Sequence, residues 1–170
     1  MPLQLPHQDP CVVCEGVAGR VPNWVEIIDD DHCVSIIPEY QFEVGQALIV
    51  PKRHAPLLTD LTDAESAAIF EASRRLMRAI VAAYDPLGVL LFQNNGVYSG
   101  QVTPHYHLHV VPRQPGSDWG VGPPQLARMD GVGRELGTAH DAAGDTRRLA
   151  RARRSLDERR EAADRIRAHL

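Results

Sequence analysis

The alternation of apolar and polar positions along the chain predicts five short strands. Each run is rich in β-branched residues and is bounded by Gly, Pro or Asp, a pattern typical of strands. The run from Asp29 to His32 is a turn signal, so the strands on either side of it are expected to form a hairpin. The predicted strands cover residues 24–28, 33–37, 46–50, 88–93 and 105–112.

A change of period predicts two helices. Apolar positions recur at helical spacing over residues 63–84, with Thr62 and Glu65 placed as a capping box and Asp85-Pro86 as a stop signal. The second pattern lies in residues 145–170, where arginines surround an apolar stripe. That stripe consists of Leu149, Ala152, Leu156, Ala163, Ile166 and Leu170.

The order of these elements predicts an α+β fold. Three strands, a helix and two further strands do not alternate as a parallel βαβ array would, and the short connections favour antiparallel pairing. We expect an antiparallel sheet of about five strands with one main helix packed on it, plus a C-terminal helix. Residues 1–113 form the predicted domain, 114–144 an irregular Gly/Pro-rich connection, and 145–170 the amphipathic helix.

Composition and charge exclude several classes of protein. The chain has 170 residues, of which 44% are hydrophobic, and a net charge of −4, so a disordered chain or a basic nucleic-acid-coating protein is not expected. No apolar run approaches the roughly 20 residues of a membrane span. The first residues lack a secretory signal pattern. These features predict a cytoplasmic protein without a membrane partner.

Three histidines alternate along the last predicted strand. His105, His107 and His109 would project from one face, roughly 7 Å apart, while Tyr106 and Leu108 face the core. Packing does not account for three imidazoles in a row. Neutral imidazole can serve as a nucleophile, an acid–base catalyst or a metal ligand.

The cysteines indicate metal binding. Cys11 and Cys14 have the Cys-x-x-Cys spacing but lie in a loop-like entry, unlike a redox motif that follows a strand and opens a helix. A closed zinc site needs two further ligands, which His54 and one of the three histidines could supply. A catalytic zinc held by the three histidines is an alternative. Cys33 stands alone and is expected in the core.

Several motifs together resemble the histidine-triad (HIT) superfamily. The segment 105–113 resembles the family motif, and so do Asn94-Asn95-Gly96, Gly100-Gln101 and the Pro-Lys-Arg-His run at 51–54. The similarity covers roughly residues 11–113. It implies a HIT-like fold and a nucleotide hydrolase or nucleotidyl transferase. Such enzymes act at the α-phosphate of dinucleoside polyphosphates or nucleoside phosphoramidates through a covalent nucleotidyl-histidine.

The resemblance also implies roles for individual residues in catalysis. His107 corresponds to the nucleophile, and His109 to the residue that contacts phosphate and leaving-group oxygens. Asn94 and Gln101 resemble polar phosphate contacts, which stabilise charge on the transferring group.

Zinc and dimerisation are further implications of the resemblance. Many bacterial members carry one structural zinc, which here would be held by Cys11, Cys14, His54 and His105. Homodimerisation is common in the family. Ile27 and Ile36 are candidates for a base pocket, with ordinary core packing as the alternative.

Two positions depart from the family pattern. Pro38 stands where members often have an acidic residue for the ribose hydroxyls, although Glu39 follows it. Val102 stands where a Ser or Thr often follows Gly-Gln. These departures motivate an alternative from another class, a nucleotide-binding or adaptor module with little catalysis.

Overall fold

The structure is a computed structural model, and it describes residues 2–117 and 152–170. Within these ranges it contains five strands and three α-helices. The strands are β1 (Glu26–Asp29), β2 (Cys33–Ile36), β3 (Ala47–Pro51), β4 (Gly88–Phe92) and β5 (Leu108–Arg113). The helices are α1 (Val12–Val17), α2 (Asp63–Tyr84) and α3 (Leu156–Arg167). Residues 118–144 of the predicted connection over 114–144, and residues 145–151 of the predicted helix over 145–170, lie outside the described residues.

All five strands form one antiparallel sheet in the order β1-β2-β3-β5-β4. The β1–β2 hairpin and the antiparallel α+β class are therefore confirmed. The β3–β5 register pairs Leu48 with His109, and the β4–β5 register pairs Phe92 with His109. His109 thus lies between residues of both neighbouring strands, in the middle of one face of the sheet.

Helix α2 packs on the opposite face of the sheet and has the predicted boundaries. Thr62 caps its first turn through the predicted capping box with Glu65, and Asp85 ends it in the left-handed conformation. Arg53 pairs with Glu65 at 2.7 Å and lowers the pKa of that carboxyl group to about 2. Ile69, Leu76 and Ile80 of α2 are buried in the main core.

Helix α3 begins later than the 145–170 pattern predicts. Ser155 is its N-cap and forms a capping box with Glu158, so the regular helix starts at Leu156. Ala163 and Ile166 are fully buried in the same core as α2. Leu170, a member of the predicted stripe, is instead half-exposed.

Helix α1 corrects the expectation of a loop around the two N-terminal cysteines. Cys11 is its N-cap and Cys14 lies within its six residues, although no strand precedes it. Val13 packs α1 against β2 and β3 in a second, smaller core. Gly16 permits the close packing of α1 on Trp24, because a Cβ at this position would lie 2.2 Å from the Trp24 ring.

No helix in the described part of the chain is long and apolar enough to cross a bilayer.

Candidate functional site

The three histidines divide between two neighbouring clusters. Strand β5 begins only at Leu108, so His105 and His107 precede the regular strand instead of lying within the predicted strand 105–112. The ring of His105 lies beside His54, with centroids 5.4 Å apart. The ring of His107 lies beside His109 at 5.0 Å. His105 therefore belongs to a candidate metal cluster with His54, and His107 and His109 form a second cluster, which we call the reactive pair.

The first cluster brings together all four predicted metal ligands. One ligand atom from each of Cys11, Cys14, His54 and His105 lies within 4.8 Å of the others. His105 Nδ1 is 3.6 Å from both sulfurs, and His54 Nδ1 is 3.3 Å from Cys14 Sγ. A tetrahedral zinc with ordinary bond lengths separates S and N ligands by about 3.6 Å. The donor set therefore fits a closed Cys₂His₂ site.

Hydrogen bonding prepares His105 to bind a metal. Its Nε2–H donates to the Pro51 carbonyl oxygen at 2.9 Å, which leaves the Nδ1 lone pair facing the two thiols. Burial lowers the pKa of His105 to about 4, so the ring is neutral at pH 7, as a ligand must be.

The raised pKa of the Cys14 thiol is a further indication of a cation site. Burial and the hydrogen bond with Cys11, which stabilises the protonated Cys14 thiol, raise the pKa of Cys14 to about 11. Cys14 is therefore protonated at neutral pH in the absence of a cation. A divalent metal supplies the positive charge that stabilises its thiolate.

The reactive pair begins with His107, which is buried and 7% exposed. Its Nδ1–H donates to the His105 carbonyl oxygen at 2.8 Å. A carbonyl only accepts, so the proton is on Nδ1 and the lone pair is on Nε2. Burial lowers the pKa of His107, which keeps this lone pair available at neutral pH. His107 Nε2 is therefore suited to nucleophilic attack.

His109 lies in an aromatic setting that sequence reasoning missed. Its ring stacks on Phe92 with centroids 4.2 Å apart and planes 6° apart, and Phe42 is 6.3 Å away. The Gln46 side-chain amide lies 3.1 Å from His109 Nδ1. The cross-strand register could have indicated Phe92, because it predicts which residue pairs with His109.

The two predicted phosphate contacts, Asn94 and Gln101, lie on one loop and differ in how firmly hydrogen bonds hold their side-chain amides. Asn94 is buried, and its amide makes a long contact of 3.5 Å with the Gly100 carbonyl. The Gln101 amide accepts from the Gly96 N–H and donates to the carbonyls of Pro56 and Thr103. Gln101 therefore shapes the loop in this structure, and its phosphate contact stays a prediction.

The two predicted base-pocket residues lie in different cores. Ile36 belongs to the small core beneath α1, and its cross-strand partner Leu48 is also the partner of His109. Ile27 is buried in the main core with α2. Their roles in base binding also stay predictions.

Glu39, which follows Pro38 at the expected ribose site, is engaged in contacts with the segment before α3. Glu39 pairs with Arg153 at 2.7 Å, and its carbonyl accepts from the Arg154 N–H. The segment before α3 is thus bound to the connection between β2 and β3. Val102 is half-exposed on the loop before the histidines.

The HIT domain family model matches residues 23–116. An adenylylsulfatase of Arabidopsis thaliana is 34% identical over 107 residues, covering 63% of this chain and 54% of that protein. An adenosine 5′-monophosphoramidase of Schizosaccharomyces pombe is 29% identical over 112 residues, covering 66% and 80%.

The solved structures agree with this match. A zinc-bound histidine triad family protein from Mycobacterium smegmatis superposes with a TM-score of 0.68 at 26% identity, covering 94% of this chain and 92% of that chain.

Proposed function

Because the chain belongs to the HIT domain family, we propose that it is a nucleotide hydrolase or nucleotidyl transferase acting at an α-phosphate. The single observation that carries the proposal is the state of His107. Its Nδ1–H is bound by the His105 carbonyl, and its ring lies beside that of His109, with centroids 5.0 Å apart. The substrates we propose are nucleoside phosphoramidates or dinucleoside polyphosphates.

The proposed reaction has two displacements at phosphorus. His107 Nε2 attacks the α-phosphorus, an N–P bond forms, and the bond to the leaving oxygen or nitrogen breaks. The leaving group keeps the electron pair and takes a proton from solvent where its basicity requires one. Water then attacks the same phosphorus, gives a proton to solvent, and returns the N–P electron pair to His107.

The surroundings of His107 support both displacements. Attack places positive charge on the imidazole, and the His105 carbonyl oxygen that accepts its Nδ1–H stabilises that charge. His109 and Asn94 are proposed to contact the phosphate oxygens, together with Gln101 if its loop rearranges on binding. Ile36 and Ile27 are proposed to support the base.

We propose a structural role for zinc, one ion per chain, in the Cys11, Cys14, His54 and His105 cluster. The donor set and the hydrogen bond from His105 to the Pro51 carbonyl, which orients the ring, support it. When bound, the ion links α1 to the end of β3 and to the segment before β5. Four protein ligands would complete the tetrahedral coordination that zinc prefers and would leave no open position for substrate.

We propose that residues 1–113 form the catalytic domain with its zinc-binding segment, and that the helix in 145–170 supports it by completing the core. A cytoplasmic location is proposed as well.

Release of AMP from a panel of adenylates tests the function. The panel contains adenosine 5′-phosphoramidate, adenylyl sulfate, and diadenosine tri- and tetraphosphate, because two relatives carry the first two activities in their names. We expect release from at least one member, and an adenylyl adduct on the His107 peptide after acid quenching. Tight AMP binding without release from any of the four would instead support the binding-module alternative.

A homodimer is proposed from the free edge of β4. Within residues 2–117 and 152–170, β4 pairs only with β5, and its side chains from Val89 to Phe92 are half-buried. Leu87, just before this edge, is 82% exposed, and Phe70 of α2 is 67% exposed. A second copy could pair along β4 and cover these side chains.

Sedimentation equilibrium tests the dimer. We expect twice the chain mass, and Leu87→Glu should weaken association by about tenfold or more, since it buries a charge. Tyr98→Glu is the matched control because Tyr98 is equally exposed but lies on the loop before β5. A monomer at all concentrations, or equal effects of both variants, would contradict the proposal.

A further inference from the structure

Gln46 makes two hydrogen bonds that determine its orientation. It is 2% exposed and lies immediately before β3. Its Oε1 accepts from the Phe42 backbone N–H at 2.6 Å, and its Nε2 lies 3.1 Å from His109 Nδ1. A backbone N–H can only donate, so the oxygen of the amide must face Phe42. The NH₂ end therefore faces His109 for a chemical reason.

This orientation fixes the proton on His109. An amide NH₂ only donates, so His109 Nδ1 must be the acceptor. A neutral imidazole with an unprotonated Nδ1 carries its proton on Nε2. Of the two ring nitrogens, Nε2 is then the one that donates.

The aromatic neighbours fix the ring in the same state. Stacking on Phe92 at 4.2 Å sets the plane of the ring. Burial and the neighbouring His107 hold the pKa of His109 well below its usual value, so the ring stays neutral. Neither Phe92 nor Phe42 can exchange a proton with it.

We propose that Gln46 is a positioning residue that holds His109 as a neutral Nε2–H hydrogen-bond donor to phosphate or leaving-group oxygens. The proposal rests on the proposed function and deepens it. Loss of Nε2–H from a neutral ring would leave an imidazolate, so His109 stabilises oxygen charge without transferring its proton. Departing groups that need a proton then obtain it from solvent.

Nitrogen-15 NMR of the histidine rings in the ligand-free protein tests the first half of the proposal. In the wild type we expect His109 to have an unprotonated Nδ1 and a protonated Nε2. In Gln46→Glu one carboxylate oxygen still accepts from the Phe42 N–H, but the other can only accept from His109. We therefore expect His109 Nδ1 to become protonated. In Gln46→Met, which offers no donor, the Nε2–H preference should be lost.

A second buried glutamine provides the matched control. Gln41 is also 2% exposed, and within the described residues its amide bonds to the Pro38 carbonyl and the Gly45 N–H, not to a histidine. Gln41→Met should lower stability but leave the His109 signals and kcat unchanged. Gln46→Met should lower kcat by roughly 100-fold, as expected for the loss of one oriented donor, with KM within about threefold.

Three results would overturn the proposal. They are a protonated Nδ1 in the wild type, unchanged His109 signals in both Gln46 variants, and an altered tautomer with unchanged kcat. Failure of the proposed function gives a different result. In that case the wild type has the expected His109 tautomer but releases no AMP. Gln46 would then still set the tautomer of His109, but without a role in catalysis.

Discussion

His107→Ala is expected to abolish AMP release while the protein remains folded. The variant removes the Nε2 lone pair that attacks phosphorus, and no neighbouring group in the described site replaces it. We expect a loss on the order of 10⁴-fold in kcat, as for the loss of a covalent nucleophile. The measurement is single-turnover release of AMP from the best substrate of the panel, with circular dichroism to confirm the fold.

His32→Ala is the matched control for this variant. His32 is an exposed imidazole in the β1–β2 turn and lies outside both histidine clusters. The His32→Ala variant should retain wild-type turnover. Normal turnover by His107→Ala would refute the covalent mechanism. An adenylyl adduct that maps to another residue would refute the assignment of His107.

Cys14→Ser is expected to release zinc and to lower stability strongly. Serine replaces a sulfur that lies 3.3 Å from His54 Nδ1 and 3.6 Å from His105 Nδ1. A hydroxyl is a poor zinc ligand at neutral pH. We expect a loss on the order of 4 kcal/mol in the free energy of unfolding, or about 10 °C in Tm. Zinc content and thermal unfolding of the purified protein measure the two effects.

The third cysteine offers a control for this variant. Cys33 is fully buried in the main core and is not one of the four clustered ligands. Cys33→Ala should retain one zinc per chain and lose only the stability that a small cavity costs, about 1 kcal/mol. If Cys14→Ser retains a full equivalent of zinc, the proposed ligand set is wrong.

The sheet and α2 could be predicted because their signals are local. Alternation over four or five residues identifies a strand, and the spacing of Thr62 and Glu65 identifies the start of α2 without any knowledge of the fold. The Cys₂His₂ cluster could be predicted because the residue types themselves carry the chemistry. Its ligands are separated in sequence but chemically distinctive.

The features that were missed depend on contacts between distant segments. Helix α1 has six residues, too few for a hydrophobic period, and it is stabilised by packing against Trp24. The segment before the late start of β5 is held by the hydrogen bond of His105 to Pro51, which lies on another strand. The contact of Gln46 with His109 spans 63 positions and depends on the register of two strands.

The docking of α3 has a consequence for how the chain reaches this fold. Arg167 donates to the Glu26 carbonyl oxygen across 141 positions, and Arg159 donates to the Asn23 carbonyl oxygen across 136. Contacts this distant in sequence close late, because the entropy of ordering the intervening chain must be overcome first. Until they close, the buried face of α2 lacks the part of its cover that α3 supplies, and we expect the partly folded chain to be prone to associate with other copies. We therefore expect changes that weaken the docking of α3 to favour aggregation over folding, although α3 contributes no residue to either histidine cluster.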